Sequence, residues 1–171
     1  RTAGAGAIAL AAAPIAAREA AAQAAKPRAH QELLSKLVGG KAAQAGPAIL
    51  FTPRNQDGKA PWSVVRDVMF RRNVVRHVAA AFNILGLDDN YPSEPTTNIA
   101  IHHNLIVEVD SRAWGGSGAF VLLGDAAGMI SIEHNTVMQS GHIIAVYGGT
   151  ATAPRKVTGF RFASNIVLHN T

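Results

Sequence analysis

The chain has no cysteine among its 171 residues. A disulfide framework, a thiolate zinc site and a cysteine nucleophile are therefore excluded. Charged residues are sparse, at 16%, against 48% apolar. An extended disordered chain needs the opposite balance. Aromatic residues make up only 6% and the basic residues are scattered, which argues against a dedicated nucleic-acid module. Outside an Ala-rich N-terminus there is no run of 18 or more strongly apolar residues, so no conventional membrane span is expected. The P-loop, the G-x-S-x-G elbow and the H-E-x-x-H helix are all absent. GAGAIAL (4–10) follows no strand pattern and is not a dinucleotide fingerprint. Acidic residues are the minority charge, 11 against 16 basic, giving +5 at pH 7. That balance favours acidic partners such as a polyuronate, nucleic acid or an anionic membrane face, without choosing among them.

Alanine is concentrated at one end. Residues 1–46 hold 18 alanines and residues 47–171 hold 14. Ala is the best helix former, so AREAAAQAAK (17–26) and HQELLSKLV (30–38) read as helix. Pro27 separates them and Gly39-Gly40 ends the second. Residues 1–46 are thus expected to be a helical cap or tail, or a signal-like segment ending near Ala17.

The remainder carries an internal repeat. DVMFRRNVV (67–75), NIAIHHNLI (98–106), MISIEHNTV (129–137) and GFRFASNIV (159–167) align on Asn73, Asn104, Asn135 and Asn165, at spacings of 31, 31 and 30. Five and three residues before each anchor lie Val68/Phe70, Ile99/Ile101, Ile130/Ile132 and Phe160/Phe162. Two residues after it lie Val75, Ile106, Val137 and Val167. Alternation of this kind is the strand period of two. A second apolar run recurs as AILFTP (48–53), AFNILG (81–86), AFVLLG (119–124) and IIAVYG (143–148).

A unit of this length with two or more strands and a fixed Asn predicts stacked coils. Equivalent residues then lie about 4.8 Å apart in columns. Stacked Asn side chains can bond to one another and to turn backbone, which satisfies a buried amide. A leucine-rich repeat shares L-x-L-x-x-N-x-L, but its period is shorter and it wants Leu eight residues before the anchor. Here those positions are Val65, Thr96, Ala127 and Val157.

The pattern apolar–x–apolar–x–x–Asn–x–apolar resembles the right-handed parallel β-helix superfamily, the pectate-lyase-like fold, over roughly residues 47–171. Stretches such as LFTPRNQDG (50–58) and WGGSG (114–118) look like an uncharacterised bacterial branch of it. The resemblance implies an all-β solenoid of about four to five coils, secreted or at the cell surface. It implies polysaccharide binding, with cleavage as a lyase or hydrolase a further step. Lyases of the superfamily use a basic side chain to take the proton beside a uronate carboxylate, often with calcium. The rival class is a non-catalytic surface, adhesive or structural module, and a leucine-rich binding protein is third.

If the apolar columns face inward, the intervening ones face out. Arg71, His102 and Glu133 then form one outward ladder, a cation, a titratable ring and a carboxylate suited to acid–base work. They are the candidate catalytic residues. Arg72, His103 and His134 precede the anchors and, with Arg161 and Trp114, are the candidate substrate-binding residues. The alternative is an exposed ladder of complementary charges, with His103 and His134 packed at the turn beside the Asn ladder. Calcium wants six to eight oxygen ligands, which Asp88, Asp89 and Asp110 could supply only if their loops converge. No spacing matches a known calcium loop, and no metal ligand is assigned.

Overall fold

The structure, a computed structural model, describes residues 46–170. The expected helices at 17–26 and 30–38 lie outside the described residues. Among the described residues there are twelve strands: β1 Pro47–Phe51, β2 Arg66–Arg71, β3 Val74–Val78, β4 Ala80–Leu85, β5 Thr97–His102, β6 Leu105–Val109, β7 Val121–Gly124, β8 Gly128–Glu133, β9 Thr136–Gln139, β10 Ile144–Tyr147, β11 Arg161–Ala163 and β12 Ile166–His169. They form three four-stranded sheets of order β1-β4-β7-β10, β2-β5-β8-β11 and β3-β6-β9-β12. Every pairing is parallel and joins strands of successive coils. The chain is therefore a parallel β-solenoid of about four turns. Each coil carries three strands, where a leucine-rich unit would be largely helical or irregular outside its strand.

The register is the one the repeat demands. Val68 pairs with Ile99 and Ile99 with Ile130, and Phe70, Ile101, Ile132 and Phe162 stand in the next inward column. Val75, Ile106, Val137 and Val167 form a third. Ile99, Ile101, Ile106, Ile130, Ile132 and Val137 are almost wholly buried. All six phenylalanines join ring to ring along the interior, from Phe51 through Phe70, Phe82, Phe120 and Phe162 to Phe160. Burying one such ring contributes about 1.5–3 kcal/mol.

The corner between the second and third sheets is the most regular feature. It has two residues in every coil, and the second is always the anchor Asn. The Oδ1 atoms of Asn104, Asn135 and Asn165 each accept from both the backbone N–H and the Nδ2 of the preceding anchor. The distances are 3.0 and 3.2 Å for Asn73 on Asn104, 3.0 and 2.9 Å for Asn104 on Asn135, and 2.9 Å twice for Asn135 on Asn165. Nδ2 of Asn104, Asn135 and Asn165 also donates to the carbonyls of Phe70, Ile101 and Ile132. The residue before the anchor takes a left-handed conformation in all four coils: Arg72 (φ 58°), His103 (57°), His134 (54°) and Ser164 (54°).

The constant period conceals compensated loops. In the first full coil one residue separates β3 from β4 and eleven separate β4 from β5; in the next, eleven separate β6 from β7 and three separate β7 from β8. Insertions therefore sit at different corners, and only the Asn corner is free of them.

Candidate functional site

The Asn corner projects a cationic ridge. Arg71, His102, Glu133 and Ala163 are consecutive partners on the second sheet, as the repeat predicts. Because a left-handed residue turns the chain at each corner, Arg72, His103 and His134 are thrown outward beside that ladder and are exposed. Arg76 is exposed on the adjoining sheet, in register with Val107.

The hydrogen bonding does not run along the predicted catalytic ladder. One oxygen of Glu133, Oε1, accepts from the Ser131 hydroxyl at 2.6 Å and from Arg161 Nε at 2.6 Å. These contacts, the Ser131 bond first, hold the Glu133 carboxyl below the usual carboxylate range. His102 bonds instead to its sequence neighbour, Nδ1 to Nδ1 of His103 at 2.9 Å. Glu133 and His102 thus share a column without a hydrogen bond between them. Partial burial first, then neighbouring His103 and Arg71, keep the His102 imidazole below its ordinary pKa. The His103 ring stacks on His134, with centroids 5.1 Å apart and planes 28° apart.

Charge on the ridge is uncompensated. Glu133 is engaged by Arg161, whereas Arg71, Arg72 and Arg76 make no ion pair among the described residues. Beside these cations the third sheet presents an apolar column. Val74, Leu105 and Ile166 are 65%, 42% and 60% exposed, and only Thr136 interrupts them.

Other expected residues go elsewhere. Trp114 ends a short helix, α1 Ser111–Trp114, and lies half-buried against His77, with ring centroids 5.4 Å apart. That places it beside the third sheet and not with Arg72, His103 and His134. His77 in turn is paired with Glu108 of the next coil. Two of the loop acids, Asp88 and Asp110, are structural. Asp88 accepts from the backbone N–H groups of Asn55, Asn90 and Tyr91 at 3.1, 2.8 and 3.0 Å, which lowers its pKa and ties two loops together. Asp110 caps α1 by accepting from Arg112 N at 2.7 Å. Among the described residues no three His, Asp or Glu side chains are grouped to hold a metal ion, so Asp88, Asp89 and Asp110 do not converge. A cavity of about 400 Å³ is lined by the 87–93 loop and Arg155.

Two features escaped the sequence reading. The left-handed corner carries ordinary side chains where glycine would have announced it. Tyr147 lies over Gly124 and donates its hydroxyl to Asn83 Oδ1 at 3.1 Å, two coils away. A Cβ at Gly124 would meet that ring at 2.5 Å. Fold and ridge together define a three-sheeted parallel β-solenoid with a cationic corner. No family model, curated protein or solved structure matches the chain.

Proposed function

We propose that the solenoid binds an acidic polysaccharide along the Asn corner, as a binding module of a secreted or surface protein. The observation that carries this reading is the cluster of three guanidinium groups, Arg71, Arg72 and Arg76, which sit together in one coil without an ion pair among the described residues, beside an exposed apolar column. A uronate or sulfated chain offers the complementary pattern. An anionic group of the chain meets the guanidinium cluster, and its sugar rings turn C–H faces toward the apolar column. Glu133 is already held by Ser131 and Arg161. Asp88 serves as a tie between loops and Asp110 as a helix cap, which supports a binding role over a hydrolytic one at the ridge.

The test is affinity electrophoresis of the full chain through polygalacturonate, a sulfated galactan and a neutral galactan. Retardation by the two acidic polymers alone is expected, weakening with salt. The triple variant Arg71→Ser, Arg72→Gly, Arg76→Ser removes three exposed ion pairs. At about 0.2–1 kcal/mol each, it should weaken binding roughly threefold to a hundredfold. Equal retardation by the neutral polymer, or an unaffected triple variant, would sink the proposal. A second reading rests on His102, an imidazole in register with Arg71 and bonded through Nδ1 to His103, whose pKa is lowered first by burial, which favours the proton-accepting form. Unsaturated product absorbing in the ultraviolet, lost in His102→Gln, would favour a lyase.

A further inference from the structure

Three imidazoles meet at the centre of the ridge in a way that simple cation columns do not require. His102 and His103 face each other through their Nδ1 atoms at 2.9 Å. A hydrogen bond between two such nitrogens needs one donor and one acceptor. In the neutral pair the ring that donates from Nδ1 has a bare Nε2, and the ring that accepts carries its proton on Nε2. The pair therefore presents one N–H donor and one lone pair outward. One proton from solvent, placed on the bare Nε2, keeps the internal bond intact. It also gives both rings an outward N–H donor and the pair a positive charge.

The surroundings oppose that proton until an anion arrives. Facing His102 are Arg71 on β2, Glu133 on β8, and His103 and His134 at the corner. The cations outnumber the single carboxylate, which is itself engaged by Arg161 on β11. His103 stacks on His134 on one side and lies in the same column as Arg72 on the other. His134 in turn has Ser164 as its far neighbour in that column. Two or three adjacent cations cost free energy that one bound anionic group offsets.

We infer that His102, His103 and His134, with Arg71 and Arg72, form a subsite for one carboxylate or sulfate group of the polymer, which binds with uptake of a proton. This rests on the polysaccharide reading above and deepens it. The subsite takes a monoanionic group at the corner, and its affinity rises as pH falls through the imidazole range. The same linkage requires that ligand raise the imidazole pKa values.

The experiment is titration calorimetry of the full chain at pH 7 in two buffers of different ionisation enthalpy. The probes are oligogalacturonate and a sulfated galactan oligomer, because the sulfate does not titrate and so isolates the protein's protons. Uptake of a fraction approaching one proton is expected with both probes. It should vanish in His103→Asn, which keeps a side chain that tolerates the left-handed corner. Circular dichroism of that variant verifies the fold, and His102→Gln provides a second variant off the corner. Binding of both probes without proton uptake, or uptake unchanged in both variants, would overturn the subsite and leave the polysaccharide reading standing. No binding of either probe between pH 5 and 8 would overturn both.

Discussion

The Asn ladder makes the sharpest prediction, because its members differ in what they hold. The Asn104 side chain makes four hydrogen bonds. It accepts from Asn73 N and Nδ2, and it donates to Phe70 O and Asn135 Oδ1. It is 3% exposed. Asn104→Ala deletes all four and leaves the Phe70 carbonyl and the Asn73 N–H without these partners. At about 0.5–1.5 kcal/mol per bond the loss is about 4 kcal/mol. That is a large share of the 5–15 kcal/mol typical of a domain. Among the described residues the Asn73 side chain donates to two groups, Arg71 O and Asn104 Oδ1, and it is part-exposed. Asn73→Ala should therefore cost only about 1 kcal/mol. Urea unfolding of the full chain, followed by far-ultraviolet circular dichroism, reads both. With a slope of about 2 kcal/mol/M the midpoint should drop by about 2 M for Asn104→Ala and by about 0.5 M for Asn73→Ala. The double variant Asn104→Ala, Asn135→Ala should deviate from additivity by at least about 0.5 kcal/mol, as joined residues do. Equal losses at Asn73 and Asn104, or strict additivity of the pair, would refute a ladder that acts as a unit.

Three further outcomes are expected. Met129 is left-handed (φ 52°) and 62% exposed, and the next coil has Gly159 (φ 61°) in that column. Met129→Gly relieves about 1–2 kcal/mol of backbone strain against about 0.5–1 of glycine entropy, so a small rise in Tm is expected and a fall would contradict the strain argument. Gln139 is fully buried and neither end of its amide has a hydrogen-bond partner among the described residues. Gln139→Met should raise stability by about 1 kcal/mol in the same urea titration, and a loss would show that the amide is satisfied in solution. Asp88 has a folded pKa below its unfolded value. Its stabilisation is therefore present above the carboxylate range and is lost as pH falls through the folded pKa. Thermal melts of Asp88→Asn should be flatter than those of the parent chain below about pH 4, and parallel curves would exclude Asp88 as a source of the acid limb.

Much of this fold was legible because a solenoid repeats its constraints. Four anchors in phase named the three inward columns, and the structure pairs Val68 with Ile99 and Ile99 with Ile130 as the spacing requires. The Asn role followed from donor and acceptor counting alone. The loops were not legible. The eleven-residue insertions at 86–96 and 110–120 fall at different corners yet leave the anchor spacing at 31. Sequence period measures only their sum. Trp114, expected with the substrate-binding residues, instead closes a helical turn whose cap is Asp110.

The site was legible in position and illegible in pairing, for a physical reason. Register fixes which residues share a face, but a flexible side chain chooses among all partners within reach. Glu133 could have oriented His102 one strand away. It bonds instead to Ser131 on its own strand and to Arg161 on the following one, where a charge-assisted bond of 2.6 Å is available. His102, left without a carboxylate, turns to His103. Net charge misleads in the same way. Residues 1–45 contribute six basic and two acidic side chains, whereas 46–170 contribute ten and nine. The solenoid is nearly neutral, so its overall charge cannot recruit an anionic polymer. What can do so is segregation. Most of its acids are spent on loop backbone, on a helix cap and on other cations, while Arg71, Arg72 and Arg76 make no ion pair among the described residues. The binding proposal therefore depends on those three residues and not on pI, and exchanging other basic residues, such as Lys59 or Lys156, should leave polymer retardation unchanged.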